Sequence, residues 1–174
     1  MTLSESGIEV VPRLIGAHRL YFYEDYDPIR ALRGEVPGRL VKDTGWLKNL
    51  MVNNGKNLLL DRLFGFSGPP GAISALGIGT DTTAVSATQT QLNPSVSGSV
   101  YLQALDGGAS RSGQVASYQM TVATGNGNFA IGEGAAFNGT TNGTSTMLNR
   151  LLISPVTTKT SAQTLIYACT LTQS

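Results

Sequence analysis

The chain has 174 residues, 41% of them hydrophobic, which suits one domain with a packed core. Only 13% are charged, against roughly 25% in an average soluble protein. The formal net charge of +1 excludes the bulk electrostatic pull that draws proteins to nucleic acid or an anionic membrane, so neither is expected as a partner.

Cys169 is the single cysteine, so an intramolecular disulfide or a cysteine-based zinc site cannot form. No apolar run approaches the roughly 20 residues that span a bilayer. The polar segment Met1 to Gly7, with Glu5, lacks the basic and apolar regions of a secretory signal. Synthesis in a reducing cytoplasm is the expectation.

In chain order, residues 1–44 read as an extended N-terminal arm rather than a domain. Ile8, Val10 and Val11 run into Pro12, Leu20-Tyr21-Phe22-Tyr23 runs into an acidic stretch, and Pro28 and Pro37 break longer elements. Tyr21, Phe22, Tyr23, Tyr26, Arg30, Arg33 and Arg39 are the candidate partner-binding residues, because aromatics and arginine are enriched at interfaces. The alternative is a strand or hairpin folded onto its own domain.

Residues 45–174 read as the domain. A short amphipathic helix is predicted at about 55–64, where Leu59, Leu60, Leu63 and Phe64 recur at helical spacing. Asn53 or Asn54 would cap it and Gly65 would end it. Phe66 to Gly71, with Pro69-Pro70, is a loop. Strands are predicted at 72–78, 96–105, 117–122, 129–137, 147–153 and 164–171, with Tyr118, Met120 and Val122 on one face, and Leu165, Tyr167, Cys169 and Leu171 on another. Gly107-Gly108, Gly125-Asn126-Gly127 and 138–143 supply turns. The fold class is therefore all-β, an antiparallel sandwich with one short helix. Beyond Ser67 only Asp81, Asp106, Glu133, Arg111, Arg150 and Lys159 are charged. The surface there relies on Thr, Ser, Asn, Gln and Gly, which suits either the exposed Thr/Ser-rich strand faces of a sandwich or a subunit whose neighbours cover it.

Little in the sequence points to chemistry. His18 is the sole histidine, and nothing places Cys169 or a serine near it. Asp81, Asp106 and Glu133 are too scattered to suggest a carboxylate pair. Gly77-Ile-Gly79 and Gly125-Asn-Gly127 lack the phosphate-loop pattern and read as turn or bulge glycines. The Asn138-Gly-Thr140 and Asn142-Gly-Thr144 segments read as a polar turn. No catalytic residue, metal ligand or cofactor site is expected, and an enzyme is not.

Several stretches carry a resemblance. The run Ala75-Leu-Gly-Ile-Gly-Thr-Asp-Thr-Thr-Ala-Val, continuing to Leu92, resembles a strand, G-x-G-T turn and Thr/Ala-rich loop of tailed-bacteriophage structural proteins. Phe129-Ala-Ile-Gly-Glu-Gly-Ala-Ala-Phe137 resembles their F-x-I-x-E-x-G-L-F strand, with Ala135-Ala136 departing from the pattern. Met147-Leu-Asn-Arg-Leu-Leu-Ile-Ser-Pro155 with Thr158-Lys-Thr160 resembles their closing strands, and Trp46 to Leu50 with Asn54 to Leu60 the preceding segment. The resemblance covers about 45–174 and leaves the arm outside. It implies a jelly-roll-like sandwich in a virion, made in the host cytoplasm. It further implies a homo-oligomer whose partners are other virion proteins, either a capsid decoration or cement protein or a tail, collar, baseplate or fibre-attachment protein. A carbohydrate-binding module for host adsorption is the competing expectation, with Tyr101 and Phe137 as its candidate aromatics.

Overall fold

The structure is a computed structural model and describes residues 14–66, 71–93 and 99–173. The first thirteen residues of the expected arm, most of the loop around Pro69-Pro70 and the start of the strand expected at 96–105 lie outside them. The chain forms β1 (Leu14–Glu24), α1 (Pro28–Leu32), β2 (Arg39–Asp43), β3 (Leu47–Lys48), β4 (Leu50–Met51), α2 (Asn53–Phe64), β5 (Ala75–Gly79), β6 (Val100–Ala104), β7 (Ser110–Ser112), β8 (Val115–Val122), β9 (Ala130–Phe137), β10 (Met147–Thr158) and β11 (Gln163–Gln173). Two antiparallel sheets pack face to face, as the alternation predicts. The first has the order β2-β1-β11-β8-β7, with β3 also pairing with β1, and the second the order β4-β10-β9-β5-β6.

The core lies between the sheets. Leu20 and Phe22 of β1, Met120 and Val122 of β8, and Leu165, Tyr167 and Cys169 of β11 meet Leu76, Ile78, Ile131, Leu151 and Ile153 of the second sheet. On the first sheet the period of two holds: inward residues of β8 are buried, and Ser117 and Gln119 are exposed. The second sheet differs. Every residue of β5 and all but the first of β9 are buried, so side chains pointing to either face are covered. A smaller cluster of Val52, Ala75, Leu92, Ala135, Phe137 and Met147 joins this sheet to the residue before α2 and to the loop after β5.

Helix α2 starts two residues earlier than predicted, and its cap is not an asparagine. Val52 occupies the cap position without a side-chain bond, and the Asn53 N–H instead donates to the Ala87 carbonyl at 2.8 Å. Gly65 ends the helix as expected, with φ 68° and its N–H bonded to Asp61 O at 2.8 Å. The packed stripe is Gly55, Leu58 and Leu59. Gly55 is needed because a Cβ there would collide with the Leu148 backbone of β10. Leu60, Leu63 and Phe64 lie off that stripe and are exposed.

The expectation of an extended arm over residues 14–44 is corrected. β1 sits inside the first sheet and pairs with β11 over eleven consecutive positions, from Leu14↔Gln173 to Glu24↔Gln163. Its other edge pairs with β2 and β3. Alternation in Gly16-Ala-His-Arg-Leu-Tyr-Phe-Tyr-Glu24 is strict once His18 counts as an inward residue, and its charged look comes from the outward half. Pro28 and Pro37 do separate the elements as expected, Pro28 by opening a short helix between β1 and β2. Pro28 occupies the first turn of α1, where its missing N–H costs nothing, and Asp27 Oδ1 accepts from Ile29 N at 2.8 Å. A chain lacking residues 1–44 loses this strand and is expected not to fold. Far-ultraviolet circular dichroism and a urea titration check this, and a cooperative transition in the truncated chain would contradict the assignment.

Candidate functional site

His18, fully buried, sits at the centre of a polar knot within the first sheet. Its Nδ1 lies 2.7 Å from Tyr167 OH and 3.0 Å from Cys169 Sγ, and its Nε2 lies 2.8 Å from Asn49 Nδ2. This corrects the expectation that Cys169 and His18 are apart: antiparallel pairing sets His18 directly opposite Cys169. With the Asn49 amide donating to Nε2, the imidazole carries its proton on Nδ1 and donates to the tyrosine oxygen. The pair is not a nucleophile and base. Burial holds His18 near a pKa of about 3 and pushes the Cys169 thiol well up, so both stay neutral where a cysteine nucleophile needs a thiolate. Nearby, Tyr118 OH and Asn149 Nδ2 are buried and make no hydrogen bond.

A second polar centre lies between the second sheet and the loop after β5. Arg150 of β10 has no exposed surface. Its Nε donates to Glu133 Oε2 of β9 at 2.7 Å and its Nη2 to Asp81 Oδ2 at 3.0 Å. Nη1 donates to the Thr83 carbonyl and to Gln89 Oε1, both at 3.1 Å. The loop is tied down further by Asn93 N to Glu133 Oε1 at 3.0 Å, and by the Asn142 amide, which bonds both backbone groups of Leu92. Asp81 and Glu133, too scattered in sequence to suggest a pair, thus share one guanidinium. Burial pushes the Asp81 carboxyl up, but bonds from Thr83 and Asn93 and the Arg150 charge outweigh it and hold the carboxyl below its usual range. Burial wins at Glu133, which is raised despite Arg150. Gly79 is a close-approach glycine rather than a turn or bulge glycine, since a Cβ there would strike the Glu133 carboxylate.

Lys159 is the remaining buried charge among the described residues. Its Nζ donates to Ala123 O at 2.9 Å and Asn128 Oδ1 at 2.8 Å, and burial lowers its pKa to about 8. No cluster of three or more metal-ligating side chains occurs among the described residues. No described helix is long and apolar enough to cross a membrane.

Two features of the described surface stand out. Between β1 and β2 the chain leaves the sheet to form α1, none of whose residues is buried. Leu32 is 88% exposed, the most of the large exposed hydrophobic residues, followed on this excursion by Val36 and Ile29. The excursion is braced at its base by Asp27 N to Pro37 O at 2.6 Å and across its tip by the Arg30–Glu35 ion pair at 3.5 Å. The other feature is a groove of about 440 Å³ on the outer face of the first sheet, walled by Trp46 and residues 106–110 and floored by β8 and β11.

The candidate partner-binding residues therefore divide. Phe22 is core, at 1% exposure. Tyr21, Tyr23 and Tyr26 form an outer row, with ring centroids 6.4 Å and 5.7 Å apart along it. Arg30 and Arg33 lie on the exposed excursion, and Arg39 ion-pairs with Glu24. Phe137, a candidate sugar-binding aromatic, is fully buried, and Tyr101 is half-buried with its hydroxyl donating to Gln103 at 2.6 Å. Trp46, adjoining the apolar Leu47, carries no local pattern that marks it as a surface residue. The signal that could have found it is the adjacent Gly45, whose φ of 67° turns the chain before β3.

Two outcomes follow. Arg150→Met strands two buried carboxylates and should cost about 3–5 kcal/mol in urea denaturation. His18 takes up a proton only when unfolded between pH 6.5 and about 3, so stability should fall with acidification across that window, by at most about 1.4 kcal/mol per pH unit. His18→Gln should flatten that slope, measured as urea midpoint against pH. Searches of protein families, curated proteins and solved structures return no match to this chain.

Proposed function

We propose that this chain is a non-enzymatic structural subunit of a tailed-phage particle, a decoration or cement protein that grips neighbouring subunits. The observation that carries the gripping role is the excursion around α1. A helix with no buried residue gains nothing from its own core, yet Asp27, Pro37 and the Arg30–Glu35 pair hold it in shape. It exposes Ile29, Leu32 and Val36 on the same short segment as Arg30 and Arg33, the apolar and arginine side chains that docking surfaces use. The gripping element is thus this preformed knob rather than an extended arm. The phage assignment rests on the sequence resemblance over 45–174. The absence of a catalytic role is supported by the neutral His18–Cys169 pair and by the enclosure of Asp81 and Glu133 around Arg150.

The test is to express tagged protein in cells producing the phage that encodes it and purify particles on a density gradient. Wild-type chain should co-sediment with particles. Leu32→Asp, at an exposed position, should fold normally but be depleted at least 10-fold. A wild-type chain absent from particles would refute the virion reading, and full incorporation of Leu32→Asp would refute the knob.

A further inference from the structure

The groove on the first sheet has a composition that apolar docking surfaces lack. Its floor is small and polar, because register sets Ser117 of β8 opposite Thr170 of β11, and Gln119 opposite Ala168. Ser110 of β7 pairs with Ser117 at the far edge. Hydroxyls and an amide that both donate and accept thus line a shallow trough whose volume falls within the roughly 300–1,000 Å³ of small-molecule sites. One wall is Trp46, about half exposed. Its ring is held by the Arg19 guanidinium, 5.8 Å from the ring centroid, and Arg19 also lies over Tyr21 at 4.7 Å.

The cation beside the groove is already paired. Arg19 is bound through Nε and Nη2 to Asp43 at 2.9 and 2.5 Å, and Asp106 accepts from the Thr121 hydroxyl at 2.6 Å. Asp106 is the one charged residue lining the groove, so an anionic ligand would meet no cation there, whereas a neutral one rich in hydroxyls would find donors and acceptors. An exposed indole beside such groups matches the two faces of a pyranose ring, whose axial C–H bonds lie against an aromatic surface while its hydroxyls take directional bonds. Beyond Arg19, Tyr21 and Tyr23 continue along the same face of β1, and Tyr26 follows.

We propose that this groove binds a neutral oligosaccharide, with one pyranose ring against Trp46, its hydroxyls bonded by Gln119, Ser117 and Thr170, and further sugars along Tyr21 and Tyr23. The site is separate from the α1 knob and does not depend on the assembly reading. It also differs from the Tyr101 and Phe137 surface considered from sequence, which the fold closes.

Purified full-length protein should be screened on an array of neutral hexose and N-acetylhexosamine oligosaccharides printed beside sialylated and uronic ones. Hits should be titrated while following the fluorescence of Trp46, the only tryptophan in the chain. The expected result is saturable binding to neutral glycans, with a shift in Trp46 emission. Calorimetry should show affinity at least 10-fold weaker in Trp46→Ala, a few-fold weaker in Gln119→Ala and unchanged in Leu32→Asp, each folded by circular dichroism. Silence across the neutral glycans, preference for acidic ones, or binding that survives both groove substitutions would overturn the proposal. Because no particle enters this assay, its failure leaves the assembly reading standing.

Discussion

The organisation of the second sheet depends on one guanidinium. Arg150 is withdrawn from water and must satisfy its donors internally, and it does so with Glu133 from the neighbouring strand and with Asp81, Thr83 and Gln89 from the loop after β5. An unpaired charge at that depth would cost far more than the loop's ordering, so the loop is drawn down onto the sheet. Leu92 then reaches the small apolar cluster, and Ala87 supplies the carbonyl that receives the first N–H of α2. Loop, helix start and sheet are therefore one bonded unit. This explains how a sheet with apolar residues on both faces stays covered with only one substantial helix among the described residues.

The first sheet answers a different constraint. β1 and β11 lie at opposite ends of the described chain and pair over their full lengths, so the sheet closes only when the ends meet. Pairings of such sequence separation carry a loop-closure cost before any contact rewards it. The polar knot of His18, Tyr167, Cys169 and Asn49 sits on this seam, and its hydrogen bonds form only in the correct register. A one-residue slip would turn His18 outward and put Arg19 in the core.

These two arrangements leave the surface free for other roles. The β1–β2 connection departs from the sheet as a braced knob with an apolar tip, and the outer face of β1, β11 and β8 offers hydroxyls, an amide and aromatic rings. One feature suits a protein neighbour and the other a neutral sugar. The knob follows the strand expected to lie outside the domain, and the aromatic rings of that strand continue the face on which the groove lies.

Much of the fold was legible in the sequence because half-buried strands write their environment into alternation. Tyr118-Gln-Met-Thr-Val122 and Leu165 to Leu171 named their inward residues correctly, and Gly65 marked the end of α2 by its left-handed backbone. What local pattern cannot record is who sits across the ladder or beneath a loop. β1 looked like an arm because its outward Arg19, Tyr21 and Tyr23 obscured an inward row that includes a histidine, and a buried histidine is recognisable only beside Tyr167 and Asn49. Asp81, Glu133 and Arg150 are dispersed along the chain, so their convergence exists only in the folded sheet. The groove is likewise assembled in space from Trp46, residues 106–110, β8 and β11. The chain's own residues thus determined an all-β sandwich poor in charge. Tertiary structure alone decided which polar groups became its buried supports and which became its working surface, because burial and partnership are properties of the assembled sheets.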